Sequence, residues 1–271
     1  MARRSRSKGR GRAERHEGRG GGGGRSGLDQ LEGRNVVLEA LRVNRRRVVE
    51  IRLDERAKIA GKLEEILTLA SEREVPVIRV PRFELDQSSE TGVHNGVLAR
   101  AHPLPAITTS ALLDDLEQRG EVPFIVLVDE VQYEQNLGAI LRTALGAGVH
   151  AVVVPVRRGK GLTPVVQRVA MGAAEQVPVI REGLLSAMST LRRRGVRVVG
   201  AGLEGAPLWE VSMTGPFALV LGGEAKGLTQ TVCRQCEELV HIPMAGPMDS
   251  LNVSVSTGIL LYEKVRQDRK E

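Results

Sequence analysis

Three polar stretches in the second half of the chain interrupt apolar runs, each where a strand-like segment hands over to a helix-like one. The first runs from Asp129 to Asn136 and enters an apolar helix that carries Arg142. Asn136 falls where a helix N-cap is expected. A guanidinium between Leu141 and Thr143 is either paired internally or aimed at a ligand. The second stretch is Gly222-Gly223-Glu224-Ala225-Lys226-Gly227-Leu228. Its glycines would let a backbone approach a ligand closely, or simply make a tight turn. It completes neither a Walker A nor a GxGxxG motif, so phosphate cradling is weakly supported. The third is a Pro/Gly-rich turn from Ile242 to Asp249 that feeds a helix carrying Ser250, Asn252, Ser254, Ser256 and Thr257. A cap uses one such residue, and five exceed that need. No histidine lies in the three stretches, so the usual general base is missing.

The elements that would position these residues follow from apolar periodicity. Strands are expected at Phe124–Val128, Ala151–Val156, Val196–Gly200, Phe217–Gly222 and Leu239–Ile242, alternating with helices at 137–148, 163–174, 183–194, 227–236 and 251–268. This βαβ alternation predicts a mostly parallel sheet covered on both faces, with ligands at the carboxyl ends of its strands. Upstream, helical spacing over Val36–Val43, a strand at Val48–Leu53, an amphipathic helix at Lys58–Ser71 and a strand at Val75–Val80 predict a smaller α/β unit. The run Thr91–Ala99 turns back into a strand, and Pro103–Ser110 reads as a linker.

At 271 residues the chain has the length of two domains with a tail. Residues 1–27 carry nine basic residues against Glu14 and Glu17, a net of +7 in a chain whose total is +6, so the body is close to neutral. With five consecutive glycines at Gly20–Gly24 and almost no apolar residues, this tail is expected to be disordered. It would bind phosphate backbones without sequence preference. Aromatic residues make up only 2% of the chain, which argues against base-stacking platforms. Cys233 and Cys236 form one CxxC with no second ligand pair, and the five histidines are scattered, so no metal is expected. No apolar run is long enough to span a membrane and no secretory leader is apparent, so a cytoplasmic location is the default.

Together the three stretches resemble the SpoU family of RNA ribose methyltransferases in the SPOUT superfamily. The resemblance rests on Asn136-Leu137-Gly138-Ala139-Ile140-Leu141-Arg142-Thr143-Ala144, on the Gly222–Leu228 turn, and on Ile242-Pro243-Met244 with Ser250-Leu251-Asn252-Val253-Ser254-Val255. It covers about residues 124–267. Residues 31–101 also resemble the ribosomal-protein-like RNA-binding domain that precedes the catalytic domain in many members. Ile242-Pro243-Met244-Ala245-Gly246 is most like the branch that methylates a guanosine of 23S ribosomal RNA. One departure is Tyr133-Glu134-Gln135, where the family usually has Asp-Pro shortly before the Asn.

The resemblance implies an α/β fold with a parallel sheet and a deep trefoil knot, an exception to the rule that folds are unknotted. It divides the chain into a tail at 1–28, an RNA substrate-binding domain at 29–102, a linker at 103–121 and the knotted domain at 122–271. It implies S-adenosylmethionine as cofactor, held at Gly222, Ile242 and Leu251. Arg142 would be catalytic, with Asn136, Glu224, Ser250 and Asn252 holding it, the ribose and the adjacent phosphate. A homodimer would complete each site, and the partners would be RNA and a second copy, with no membrane. The rivals are a Rossmann oxidoreductase, whose GxGxxG and following acid are not in place, a non-catalytic RNA-binding assembly factor, and a methyltransferase acting on transfer RNA or at a resistance-type ribosomal site.

Overall fold

Two groups of strands follow one another along the chain and form two sheets of different character. The computed structural model describes residues 27–157, 160–223 and 226–269; the basic tail up to residue 26 and Glu224 lie outside them. The first sheet is built from β1 (Asp29–Glu32), β2 (Val48–Asp54), β3 (Val77–Val80) and β4 (Val97–Ala101), in the order β1-β4-β2-β3. Its β2–β3 pair is parallel, and both neighbours of β4 are antiparallel to it. Helices α1 (Arg34–Val43), α2 (Lys62–Glu72) and α3 (Arg82–Ser88) connect the strands. Val37, Leu38, Leu41, Leu63 and Ile66 close a core over Leu31, Ile51 and Leu53.

The second sheet is parallel throughout. It contains β5 (Phe124–Val128), β6 (Ala151–Val154), β7 (Val179–Arg181), β8 (Arg197–Pro207), β9 (Phe217–Leu221) and β10 (Glu238–His241), in the order β10-β8-β9-β5-β6-β7. Every residue of β5, β6 and β9 is buried, which is why these strands read as unbroken apolar runs rather than alternating ones. One face packs against α5 (Glu134–Ala147), α6 (Pro164–Ala170), α7 (Ala173–Gln176) and α10 (Val253–Asp268). The other packs against α4 (Thr109–Arg119) and α8 (Leu184–Arg193), with Val232 from α9 (Gln230–Cys233). No helix among the described residues is long and apolar enough to cross a membrane.

Three expectations are corrected. The stretch 103–121 is not all linker: Thr108 caps α4 by accepting the N–H of Ala111, and Leu112, Leu113 and Leu116 are buried beneath the second sheet. The helix expected at 163–174 is broken into α6 and α7 by an elbow in which Met171 (φ 53°) and Gly172 (φ 93°) are both left-handed. A Cβ on Gly172 would lie 2.4 Å from Glu39 Cγ of α1, so the first domain presses on this elbow and only glycine fits. Strand β7, a three-residue edge strand, carries too little periodicity to be read from sequence.

The two domains are joined by a buried ion pair. Arg46, in the turn after α1, has no exposed side-chain surface and contacts Glu175 of α7, whose side chain is 1% exposed. It also donates to Gln167 Oε1 of α6 at 2.6 Å and to Asp29 Oδ2 at 2.9 Å. Gln176 adds a hydrogen bond to Glu39 at 3.1 Å.

Candidate active site

β5 and β9 lie side by side, with Phe124 opposite Phe217 and Val128 opposite Leu221, so the loops that follow them leave the same edge of the sheet. Their backbones touch there. Asp129 N–H donates to the Leu221 carbonyl at 2.7 Å, and the buried Asp129 carboxylate accepts the Thr229 N–H at 3.0 Å. Glu130 holds a left-handed φ of 59°, a conformation that costs a non-glycine residue on the order of 1 kcal/mol. A Cβ on Gly223 would stand 2.8 Å from the Glu130 carbonyl oxygen, and one on Gly222 2.2 Å from the Gly227 carbonyl carbon. Gly223 and Gly227 exchange both backbone hydrogen bonds, at 3.1 and 3.0 Å. The turn is therefore built of main chain packed on main chain.

The third stretch is tied to the first through two asparagines. Asn252 is the N-cap of α10, its Oδ1 accepting the Ser254 N–H at 2.9 Å and the Ser254 hydroxyl at 2.7 Å. Its Nδ2 donates to Asn136 Oδ1 at 3.1 Å. Asn136 is 8% exposed and lies in the first turn of α5, not at the cap; Tyr133 takes the cap position, because the helix begins at Glu134. Helix α10 runs on along α5, where the Tyr262 hydroxyl donates to the Gly146 carbonyl at 3.2 Å.

Arg142 is exposed, and its Nη1 lies 2.9 Å from Met171 Sδ at the α6–α7 elbow. This removes the reading of Arg142 as an internally paired core residue. Six residues separate it from Asn136, which places it about 9 Å along α5 and roughly 120° around it. Within one chain the structure therefore joins Asn136 to Asn252 and the glycine turn to Asp129, but sets Arg142 on another face. Ser250 is exposed, Gly222 and Leu251 are half-buried, and Ile242 is half-buried against the core beneath α5 and α10.

Asp129, Thr229 and Met171 were not picked out by sequence reasoning. For Asp129 the signal was present, as an acid directly after five buried apolar residues. Burial, and Cys233 beside it, push the Cys236 thiol up to about 12, so it stays protonated, and among the described residues no group of His, Cys, Asp and Glu could hold a metal ion.

Comparison with known proteins matches residues 123–262 to the SpoU rRNA methylase family and residues 30–106 to the substrate-binding domain of RNA 2′-O ribose methyltransferases. The 23S rRNA (guanosine-2′-O-)-methyltransferase RlmB of Pseudomonas putida is 41% identical over 245 residues, covering 89% of this chain and 98% of its own. That of Escherichia coli K12 is 44% identical over 188 residues, 69% of this chain and 77% of its own. Among solved structures, the SpoU methyltransferase AviRb from Streptomyces viridochromogenes, in complex with AdoMet, superposes with a TM-score of 0.74 at 25% identity, over 90% of this chain and 91% of that one. Two domain matches in the expected order, and a relative aligned over nearly its whole length, place the chain in the SpoU rRNA methylase family.

Proposed function

We propose that the chain transfers the methyl group of S-adenosylmethionine to the ribose 2′-hydroxyl of a guanosine in 23S ribosomal RNA, free or in a ribosome precursor, acting in the cytoplasm as a homodimer. The observation that carries this reading is the match to the Pseudomonas putida enzyme, which runs through both the catalytic and the substrate-binding domain.

The residues fit the cofactor. The Gly222–Gly223 turn follows β9 at the ligand-binding edge of the sheet, where the half-buried Ile242 and Leu251 add apolar surface for an adenine without demanding polar groups. When bound, the cofactor supplies a methyl group already activated by a positive sulfur. The protein must then align the ribose oxygen with that methyl and manage one proton. Arg142 would grip a phosphate and polarise the hydroxyl with its planar fork, a task its permanent charge suits better than that of a free base. The paired Asn136 and Asn252 would orient the ribose, with Ser250 and Glu224 holding it and the adjacent phosphate.

Two features support a site shared between copies. Arg142 faces away from the Asn136–Asn252 pair of its own chain. Val255, Ile259 and Tyr262 form an exposed apolar stripe at i, i+4 and i+7 along α10. A knot in this region is implied by the family resemblance.

The test is transfer of labelled methyl to unmethylated 23S ribosomal RNA by the wild type, Arg142→Ala and Arg142→Lys, with the labelled nucleotide mapped. One guanosine ribose should carry the label. Because Arg142 is exposed, Ala should change stability by only about 0.5 kcal/mol yet lower transfer by orders of magnitude, and Lys should recover little. Label on a base or in transfer RNA, or near-normal transfer by either variant, would overturn the reading. Sedimentation should give about twice the 29.4 kDa chain mass.

A further inference from the structure

Two turns at one end of the first domain enclose a cavity of about 340 Å³. One is the α1–β2 turn, Asn44–Arg47, and the other the α2–β3 turn around Arg73 and Glu74. Four arginines line it, Arg45, Arg46, Arg47 and Arg73, and among the lining residues Glu74 is the one acid. Their charges are not equally compensated. Arg46 is neutralised by the buried Glu175 and is turned into the domain seam. Arg45 is half-buried, and among the described residues its Nη1 meets only carbonyl oxygens, Glu175 O at 3.1 Å and Gln176 O at 3.4 Å. Burial, together with Arg46 alongside and despite Glu175 nearby, disfavours its charge. Arg47 is exposed, and among the described residues Arg73 reaches only the Arg42 carbonyl, at 3.5 Å. Uncompensated guanidinium groups around a concavity, in a body that is close to neutral overall, make a local site for an anion.

The position of the cavity says which anion. Arg45 is anchored on the last residues of α7, and the elbow that touches Arg142 precedes the first. Helix α7 is four residues, about 6 Å, long, so the cavity and Arg142 flank the two ends of one short helix. Resting on the reading of the chain as an RNA methyltransferase, we propose that this cavity binds the sugar-phosphate backbone of the RNA substrate, with Arg47 and Arg73 as mobile contacts and Arg45 as a fixed one. The contacts are to phosphate, so they set the path and register of the strand past the α6–α7 elbow and not the base chosen.

The experiment uses the full-length chain with Arg47→Gln, Arg73→Gln and the double substitution, leaving Arg45 in place because it props the domain seam. Binding to unmethylated 23S ribosomal RNA is measured as a function of salt, beside melting temperature, cofactor binding and turnover at saturating RNA. Each lost phosphate contact should lower the slope of log K against log[salt] by about 0.7–0.9, so the double variant should lose roughly 1.5. Melting, cofactor binding and saturated turnover should be unchanged while KM for RNA rises. An unchanged slope overturns the proposal, as does weaker binding with the wild-type slope, or a change in sedimenting mass that would make the cavity a contact between copies. Failure of the wild type to methylate this RNA would instead count against the proposed substrate, and the salt slopes would remain readable.

Discussion

Replacing Arg46 with Met tests whether the seam between the domains is held by one ion pair. The Arg46 side chain is fully buried and that of Glu175 nearly so, with Gln167 buried beside them, while Asp29 keeps about a third of its side-chain surface. Arg46→Met fills much of the same volume but strands the Glu175 carboxylate out of reach of water, and breaking a buried pair in this way costs about 3–5 kcal/mol. Because the pair spans two domains with separate cores, the loss falls first on docking. The undocked population should rise by about two to three and a half orders of magnitude. Native-state hydrogen exchange at the end of α1 and in α7, with proteolysis between β4 and α4, reads that population. Arg46→Met/Glu175→Met, which removes both charges, should recover most of the loss. The effect should also depend on pH. Burial raises the Glu175 carboxyl above its ordinary 4.5 and Arg46 pulls it back, so without Arg46 it rises further. A raised acid leaves the native state stabilised below 4.5 and weakens it as pH climbs above that value, so the variant should dock better in acid than at neutral pH. A loss below about 1 kcal/mol, or a double variant whose cost is simply the sum of its singles, would refute the reasoning.

Other substitutions test the supports on either side of that seam. Burial pushes the Glu32 carboxyl up, but hydrogen bonds from Thr91, Ser89, Gln30 and the Glu90 N–H hold it below 4.5, so it pins the loop before β4 as an anion. Glu32→Gln should lower stability at neutral pH by about 1–2 kcal/mol, and the gap to wild type in a pH series of thermal melts should close as pH falls below 4.5; a gap that widened in acid would contradict this. Lys264 is buried with its ammonium 5.4 Å from the Phe124 ring centroid and 5.9 Å from that of Phe217, and it is held by Asp268 at 2.7 Å. Asp268 can rehydrate, so Lys264→Met should stay within about 1 kcal/mol of wild type by denaturant unfolding, and a loss above about 3 would show the pair to be structurally essential.

How much of this was legible in sequence depends on the range of the forces involved. Strands β5 and β9 announce themselves because a buried parallel strand is apolar at every position, and α5 and α8 because their apolar stripes are periodic. Helix α4 was masked by the prolines before it, although its Thr108 and Gly120 caps are local signals. The break between α6 and α7 was only half legible: Gly172 marks it locally, but its contact with Glu39, more than a hundred residues away, was not visible in sequence. Nor was the cap of α5: Asn136 looks like a cap in isolation, but the helix begins at Glu134 and the Asn136 Oδ1 accepts from Asn252, the cap of another helix. The glycine turn was found as a turn, but its reason, contact with Glu130 and Gly227, needed the sheet order that sets β9 beside β5.

The geometry of α5 makes a further demand that can be tested by mixing chains. Asn136 faces α10 and Arg142 faces the α6–α7 elbow, so a pocket lined by one chain's asparagine pair cannot readily include the same chain's guanidinium. If each site takes Arg142 from one copy and the asparagine pair from the other, Arg142→Ala and Asn252→Ala chains should complement each other. Alone, each homodimer has no complete site. In an equimolar mixture about half the dimers are mixed, and each of these has one site in which both contributions are intact. Transfer to 23S ribosomal RNA should therefore return to about a quarter of wild type after the subunits are exchanged. Asn252→Ala also loses a helix cap worth about 1 kcal/mol, so melting of each variant must first show that both fold. If the site were made within one chain, every chain in the mixture would still lack a needed side chain and the activity would stay at zero. A silent mixture of folded, exchanged dimers would thus assign Arg142 to its own chain's loops and require the elbow holding Met171 to swing when RNA binds.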